Sequence, residues 1–214
     1  MRVLFSILFL TLSAWAKDKP NVLFISIDDL RPELNCYGKS YIKSPNIDKL
    51  AGKGLLFERA YCQQPICGPS RVSVMTGMRP EKSGVYHNDL VFRETSPNAI
   101  TLSQFFMNRG YNAAFSGKIY HVNFNDKKSW NFPTSKPVIK NRVKLRNGYA
   151  SKENHELMIN KRKALMEKFG MIPRGMMSGP AYEMADVPDS TYPDGSGTLA
   201  AIDTLKELKK DGKP

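Results

Sequence analysis

The sequence predicts an α/β fold in which a largely parallel central sheet is flanked by helices, and two observations support this. Residues 21–28 form a short, nearly continuous apolar run rich in β-branched side chains, which is typical of a strand buried on both faces. After it, helix-starting residues and similar apolar runs alternate along the chain as far as Gly117. Such alternation indicates a parallel sheet covered by helices.

Each element is assigned from the residues that begin and end it. Ser44 and Pro45 suit the cap and the first position of a helix that ends at Gly52. Gly77 ends a second helix, and residues 124–193 show a weaker pattern. The predicted strands are residues 21–28, 55–61 and 111–116, and the predicted helices are residues 44–51, 70–76, 101–108, 153–169 and 198–209.

Residues 1–16 have the pattern of a secretory signal peptide. A basic residue precedes the apolar residues 3–12, which are too few to span a bilayer, and Ala14 and Ala16 form a cleavage pattern. The mature chain is therefore expected to begin at Lys17 and to be secreted or periplasmic, or lysosomal in a eukaryote. No membrane attachment is expected after cleavage.

The composition fits one globular domain with a basic surface. The 214 residues are 41% hydrophobic and carry a formal net charge of +12. A chain of this length can bury a core, and its charge permits an anionic partner. Lysine and arginine are scattered along the chain and form no nucleic-acid-binding module, so a nucleic-acid partner is not expected.

The three cysteines leave at least one thiol unpaired or chemically used in an exported chain. The sequence contains no C-x-x-C pair and no cysteine–histidine cluster, which argues against a zinc site or a thioredoxin-type centre. The pairing of Cys36 and Cys62 stays open. Cys62 is also the one nearby partner for a disulfide at Cys67.

Two polar pairs follow predicted strands, where an α/β sheet places its active site. Asp28 and Asp29 suit a hard cation such as calcium or magnesium, although a solvated acidic loop or a helix cap explains an isolated pair more simply. Lys118 and His121 could bind an anion and move a proton. A surface lysine and a structurally bonded histidine are the simpler interpretation of that second pair.

Cys67 is placed near the start of a helix, because Pro69 suits a first helical turn. Backbone N–H groups and the helix dipole there favour an anionic oxygen or a thiolate. Arg71 lies four residues later, on the same face if the turn is helical, so its guanidinium could hold a reacting group. Taken alone, Cys67 is equally well a nucleophile or a small buried side chain.

Together these residues resemble the signature of the sulfatases, a family within the alkaline-phosphatase-like superfamily. The resemblance implies an alkaline-phosphatase-like sandwich and hydrolysis of sulfate esters. The matching segments are Cys67-Gly-Pro-Ser-Arg71 with Thr76-Gly77, residues 21–32, residues 44–48, and Gly117-Lys118 with His121. Asp28-Asp29-Leu-Arg-Pro32, Cys36-Tyr-Gly38, Gln63-Gln64 and Asp186-Val-Pro-Asp189 are most similar to the iduronate-2-sulfatase-like group, which implies sulfated sugars of the glycosaminoglycan type as substrates.

The resemblance also implies a modification, a cofactor and individual roles. A formylglycine-generating enzyme would convert Cys67 to formylglycine, whose hydrate has one hydroxyl to attack sulfur and a second to expel sulfate. Asp28, Asp29 and residue 67 would bind Ca²⁺, with Mg²⁺ as the alternative. Arg71 would hold the formylglycine diol, Lys118 a sulfate oxygen, and His121 would assist proton transfer.

The sulfatase pattern is incomplete in residues 17–214. Sulfatases usually have further metal ligands and another sulfate-binding lysine later in the chain. Residues 17–214 are therefore interpreted as an N-terminal part of the catalytic domain. We expect these residues alone to be inactive and poorly stable, because calcium takes about six to eight oxygen ligands and an unpaired sheet edge would be exposed.

Three other functions stay open. A phosphate or phosphonate ester hydrolase of the same superfamily differs in substrate, although Cys67 disfavours those members that use serine or threonine as the nucleophile. A non-catalytic anion-binding protein would keep the Cys67 thiol intact. A cysteine redox protein would need a Cys62–Cys67 bridge, which would block conversion to formylglycine.

Overall fold

The computed structural model describes residues 19–121, 125–136 and 148–214. The predicted signal peptide, residues 1–16, lies outside the described residues. Within them, none of the helices is long and apolar enough to cross a membrane. The α-helices of this part are α1 (Pro45–Ala51), α2 (Cys67–Thr76), α3 (Pro80–Ser83), α4 (Phe92–Thr95), α5 (Leu102–Met107), α6 (Lys152–Phe169) and α7 (Pro193–Asp211), and its 3₁₀ helices are Asn35–Tyr37, Lys127–Ser129 and Asp189–Thr191.

The predicted helix α1 is confirmed, but Ser44 acts differently from a standard cap. Pro45 opens the helix and Gly52 ends it, as expected. The Ser44 hydroxyl makes no bond to the helix backbone and instead donates to Asp48 Oδ1 at 2.9 Å. It also accepts from the Asn35 backbone N–H at 3.1 Å, so it ties α1 to the preceding 3₁₀ helix.

Helix α2 begins three residues before its predicted start, at Cys67. Pro69 lies within its first turn, where backbone N–H groups have no helical partner and a missing N–H is tolerated. Gly77 ends the helix with a φ of 68°, a left-handed conformation that glycine adopts without strain. The earlier start puts Cys67 itself in the first helical position.

The predicted helices α5, α6 and α7 are also confirmed. The signals that mark their ends are local in sequence. Thr101 and Gln104 form a reciprocal capping box at the start of α5. Ser151 caps α6 by accepting from the Asn154 N–H. Helix α7 begins earlier than predicted, at Pro193, where proline suits the first turn. The one-turn helices α3 and α4 were not predicted.

The predicted sheet is not confirmed in the described residues. Residues 21–28, 55–61 and 111–116 adopt no strand there, and no backbone hydrogen bond joins residues 21–28 to another described segment. Apolar side chains of the first run stay exposed, as for Ile25 at 69%. A strand forms only when a neighbouring strand pairs with its backbone, and no described segment pairs with this run.

The buried core lies between α2 and the segment 117–121. Its buried side chains are Val72, Met75, Val85, Phe92 and Tyr120, with Leu90, Ala99, Ile119 and Trp130 packed against them. The rings of Phe92 and Tyr120 stack with centroids 5.6 Å apart and planes 11° apart. This packing brings the start of α2 close to the segment that carries the predicted Lys118 and His121.

Glu183 holds the start of α6 in place through several hydrogen bonds. Its carboxylate accepts from the backbone N–H groups of Ala150 at 2.6 Å and Ser151 at 3.2 Å. It also accepts from the Asn154 side chain at 3.0 Å and the Tyr192 hydroxyl at 2.6 Å. Burial raises the pKa of Glu183, but these hydrogen bonds outweigh that effect and lower the pKa to about 2.

The low pKa of Glu183 predicts a specific loss of stability in acid. Because the folded-state pKa lies below the ordinary value of 4.5, the stabilisation is present above that pH and is lost as the pH falls towards 2. We expect Glu183→Gln to lower the melting temperature at pH 7 and to match the parent at about pH 2. The control Glu156→Gln alters an exposed residue of α6 and should follow the parent throughout. An equal deficit of Glu183→Gln at both pH values would contradict this account.

Candidate functional site

Residues from the three predicted clusters contribute to one site at the start of α2. Cys67 is the first residue of that helix, and its Sγ lies 3.3 Å from Nδ1 of His121. Cys67 is an unmodified cysteine here, so its Sγ occupies the place that a formylglycine oxygen would take. Asp28 reaches the same site through Arg71 and Lys118.

Asn88 is a site residue that the sequence reasoning missed. Its Oδ1 accepts from the Gly68 backbone N–H at 2.8 Å and lies 3.4 Å from Cys67 Sγ. The residue before α2, Ile66, provides no side-chain cap, so Asn88 satisfies this first-turn N–H from a distant loop. Asn88 is 21 residues from Cys67, and no local sequence pattern marks such a contact.

Gly68 makes the approach of Asn88 possible. A Cβ at position 68 would lie 2.9 Å from Asn88 Oδ1 and 3.2 Å from Asn88 Cα. The second contact involves backbone, which cannot rotate away as a flexible side chain can. Position 68 therefore needs a residue without a side chain if Asn88 is to reach the helix start.

Arg71 holds the segment 117–121 rather than Cys67. Its guanidinium donates to the backbone carbonyl oxygens of Lys118 and Ile119, the latter at 3.0 Å, and to Asp28 Oδ1 at 2.6 Å. Its side chain is only 10% exposed. No hydrogen bond between Arg71 and Cys67 occurs in the described part, so the expected contact with a diol at position 67 stays a prediction.

Asp28 is shared by two cationic side chains. Lys118 Nζ donates to Asp28 Oδ2 at 2.6 Å, and Arg71 occupies the other carboxylate oxygen. The hydrogen bond from Lys118, followed by that from Arg71, lowers the pKa of Asp28 below its ordinary value. Two positive charges thus share the one carboxylate of Asp28, and Lys118 can reach an anion by giving up its bond to that carboxylate.

The residues predicted to bind a divalent cation carry suitable ligand atoms, but these atoms are not arranged as a metal site. Asp28 and Asp29 offer the carboxylate oxygens that hard cations prefer. Both oxygens of Asp28 are already bonded to cations, and Asp29 has a left-handed backbone with a φ of 53° and no hydrogen bond to another described residue. In the described ranges, no three acidic, histidine or cysteine side chains converge as a metal site. These residues alone do not form one.

A surface depression of about 250 Å³ opens beside the site. Lys118 and His121 line it together with Asn125 and the apolar residues Phe115 and Ile119.

The cysteines are all free, so the alternative of a Cys62–Cys67 bridge finds no support here. The arrangement combines a cysteine at the start of a helix, a histidine in contact with it, and two cationic side chains beside an open depression.

Comparison with known proteins gives consistent similarities over most of the chain. A family model described as Sulfatase matches residues 20–177. Iduronate 2-sulfatase of Mus musculus is 35% identical over 205 residues, which cover 93% of this chain and 34% of that protein. Iduronate 2-sulfatase of Homo sapiens is 34% identical over 203 residues, with 92% and 34% covered. A protein named Sulfatase from Formosa agariphila is 40% identical over 111 residues, 49% of this chain and 22% of its own.

This chain spans about a third of the length of the two iduronate 2-sulfatases that it matches. The residues of the site from Asp28 to His121 all fall inside the region that the family model covers. The similarity and the geometry therefore concern the same residues.

The close contact between Gly68 and Asn88 predicts a strong effect of a single methyl group. Gly68→Ala should destabilise the chain by about 1–3 kcal/mol, because the new Cβ would lie too close to Asn88 Oδ1 and would crowd the Asn88 backbone. Urea unfolding followed by circular dichroism would measure the change.

The matched control is Gly197→Ala, at a helical glycine of α7 with open space around it. It should be neutral or stabilise by up to about 1 kcal/mol, since alanine favours helix. Equal stability of Gly68→Ala and the parent would show that Asn88 does not need this space.

Proposed function

Because the chain belongs to the sulfatase family, we propose that it hydrolyses sulfate esters with residue 67 as the nucleophile, after conversion of Cys67 to formylglycine. The observation that carries the proposal is the 3.3 Å contact between Cys67 Sγ and His121 Nδ1 at the first residue of α2. Residues 17–214 would form part of the catalytic domain. That the 214 residues alone are inactive stays a prediction.

His121 is the group best placed to move protons at residue 67. A formylglycine hydrate, once formed, supplies one hydroxyl for attack on sulfur and a second whose deprotonation releases sulfate. The His121 Nδ1 atom lies within hydrogen-bonding range of the position that such an oxygen would occupy. The N-terminal end of α2 favours negative charge at the same place.

Lys118 and Arg71 supply the charge that a sulfate group requires. Lys118 is exposed beside the depression and bonded to Asp28, so its ammonium group can turn towards an anion at the expense of one surface ion pair. Arg71 keeps the backbone at Lys118 and Ile119 in place through its two carbonyl contacts. The proposed division is that Lys118 binds sulfate, while Arg71 orients the segment and can contact the diol.

The assignment of Ca²⁺, or Mg²⁺, to Asp28, Asp29 and residue 67 also belongs to this proposal. A cation would have to displace Arg71 or Lys118 from Asp28 and would need further ligands from other residues. The roles proposed for His121, Lys118 and Arg71 do not require the cation.

The proposed substrate is a sulfated sugar, in line with the name of the two iduronate 2-sulfatases. The depression beside Lys118 and His121 has room for a sulfate group and part of a sugar ring. The proposal includes export after removal of residues 1–16 and a formylglycine-generating enzyme as the partner that modifies Cys67.

The central experiment compares the complete gene product with its Cys67→Ala variant, both produced in a host that forms formylglycine. Mass spectrometry of the peptide covering residues 59–71 would detect the aldehyde in the parent. We expect Cys67→Ala to lower the turnover of 4-nitrophenyl sulfate and of sulfated monosaccharides by about a thousandfold or more, because the nucleophile is removed.

Cys62→Ala is the matched control, since Cys62 is an exposed free cysteine with no hydrogen bond to the site in the described part of the chain. It should retain the turnover of the parent. Full sulfate ester hydrolysis by Cys67→Ala would refute the mechanism, and faster hydrolysis of the matching phosphate esters would favour the phosphate ester hydrolase instead. An unconverted thiol with no turnover would favour the non-catalytic anion-binding protein.

Proton transfer by His121 predicts a loss in kcat that exceeds any rise in KM. His121→Gln should reduce kcat by roughly 10²- to 10⁴-fold, because glutamine keeps a polar side chain but cannot carry the proton. Steady-state kinetics on the same sulfate esters would separate kcat from KM. His87→Gln, at an exposed histidine whose Nδ1 lies 4.0 Å from Asp89 Oδ2, provides the comparison and should leave kcat unchanged. A rise in KM alone for His121→Gln would assign this side chain to binding.

A further inference from the structure

We propose that Tyr120 is a positioning residue for the site and that a buried chain of hydrogen bonds from Arg93 fixes the placement of Lys118 and His121 through it. This inference rests on the proposed function. The chain runs from Arg93 to Asp126, from Asp126 to Ser129, and from Ser129 to the Tyr120 hydroxyl. None of these four residues belongs to the predicted catalytic or metal-binding set.

The direction of the hydrogen bonds at Ser129 follows from its single hydroxyl proton. Ser129 Oγ donates to Asp126 Oδ2 at 2.6 Å, where the carboxylate can only accept. The Tyr120 hydroxyl, 2.9 Å from the same Ser129 oxygen, must therefore be the donor. Ser129 is fully buried and Tyr120 is 4% exposed, so neither hydroxyl can exchange this bond for bulk water without local opening.

The series of hydrogen bonds begins at a buried ion pair between Arg93 and Asp126, and Arg93 makes further hydrogen bonds. Arg93 binds both carboxylate oxygens of Asp126, at 2.6 and 3.2 Å, and the Asp126 side chain is only 5% exposed. The same guanidinium donates to the Ala99 carbonyl oxygen at 2.6 Å and to Gln104 Oε1 at 2.7 Å. Burial raises the pKa of Asp126, but the hydrogen bonds from Arg93 and Ser129 lower it overall, which keeps the acceptor ionised.

At its other end, this series of hydrogen bonds holds Tyr120 in the middle of the segment 117–121. Its ring stacks on Phe92 and its hydroxyl is held by Ser129, so both ends of the side chain are constrained. The residue before it, Ile119, offers its carbonyl oxygen to Arg71. The residue after it, His121, contacts Cys67.

The position of the Tyr120 backbone therefore determines where the side chains of Lys118 and His121 leave the main chain. Lys118 lies two residues before it and reaches Asp28, and His121 is its direct neighbour. Catalytic groups must be held to within about 1 Å, since a misplacement of that size can reduce the rate by about a hundredfold. A buried hydroxyl that fixes the backbone between these groups is suited to that demand.

The test uses Tyr120→Phe, which keeps the ring and removes only the hydroxyl. In the complete, converted gene product we expect kcat for 4-nitrophenyl sulfate to fall about tenfold or more at 25 °C, well below the melting temperature. Ser129→Ala should have a similar effect. The double variant should lose little more than Ser129→Ala alone, because Ser129→Ala already removes the hydrogen bond from Tyr120, together with the Ser129 contacts to Asp126 and Thr101.

Two control variants separate positioning from simple destabilisation. Tyr111→Phe removes a tyrosine hydroxyl that has no hydrogen bond to another described residue, and it should leave kcat unchanged. Met158→Ala removes a buried side chain from α6, away from the chain of hydrogen bonds, and should lower the melting temperature without lowering kcat. A kcat that falls with stability in Met158→Ala as it does in Tyr120→Phe would overturn the positioning role.

A second measurement does not depend on catalysis. Amide hydrogen exchange of a peptide covering residues 117–121 should be faster in Tyr120→Phe than in the parent and unchanged in Tyr111→Phe. Unchanged exchange and unchanged kcat in Tyr120→Phe, with an active parent, overturn this inference and leave the proposed function standing. A converted parent that hydrolyses no sulfate ester removes the proposed function, and the positioning role with it.

Discussion

The arrangement of the site depends on the contacts that Arg71 makes with the backbone of residues 118 and 119. Helix α2 is a rigid element that carries Cys67 and Arg71 one turn apart. By binding two consecutive carbonyl oxygens, Arg71 sets the distance between α2 and the next segment, and the Cys67–His121 contact follows. The permanent charge and planar fork of arginine suit it to hold two acceptors and the Asp28 carboxylate together.

The sequence allowed the longer helices to be predicted, because their signals are local, and it singled out residues that the structure brings together around Cys67. Pro45, Gly77 and the Thr101–Gln104 pair begin or end their helices through contacts within a few residues. The strands were not confirmed, since residues 21–28 can become a strand only by pairing with another segment. Membership of the sulfatase family implies the alkaline-phosphatase-like α/β class for the chain.

The sequence did not mark two residues of the site, and the physical reason is the same for both. Asn88 and Tyr120 act through contacts made across loops, and an asparagine or a tyrosine in a loop carries no distinctive spacing. Asp29 illustrates the converse: the sequence pairs it with Asp28, yet Asp28 is bonded to two cations, whereas Asp29 has a left-handed backbone and no hydrogen bond to another described residue. Adjacent positions in a sequence pattern thus take up different environments once the chain folds.

The hydrogen bonds of the site join residues far apart in the chain, with a sequence separation of 54 for Cys67 and His121 and of 90 for Asp28 and Lys118. Closing such loops costs chain entropy before the contacts reward it, so we expect contacts of this kind to form after the local helices. Helix α6, whose caps lie within its own sequence neighbourhood, can form without them. Helical content is therefore a poor measure of whether the site is assembled, and the order of the residue 67 environment reports completed folding.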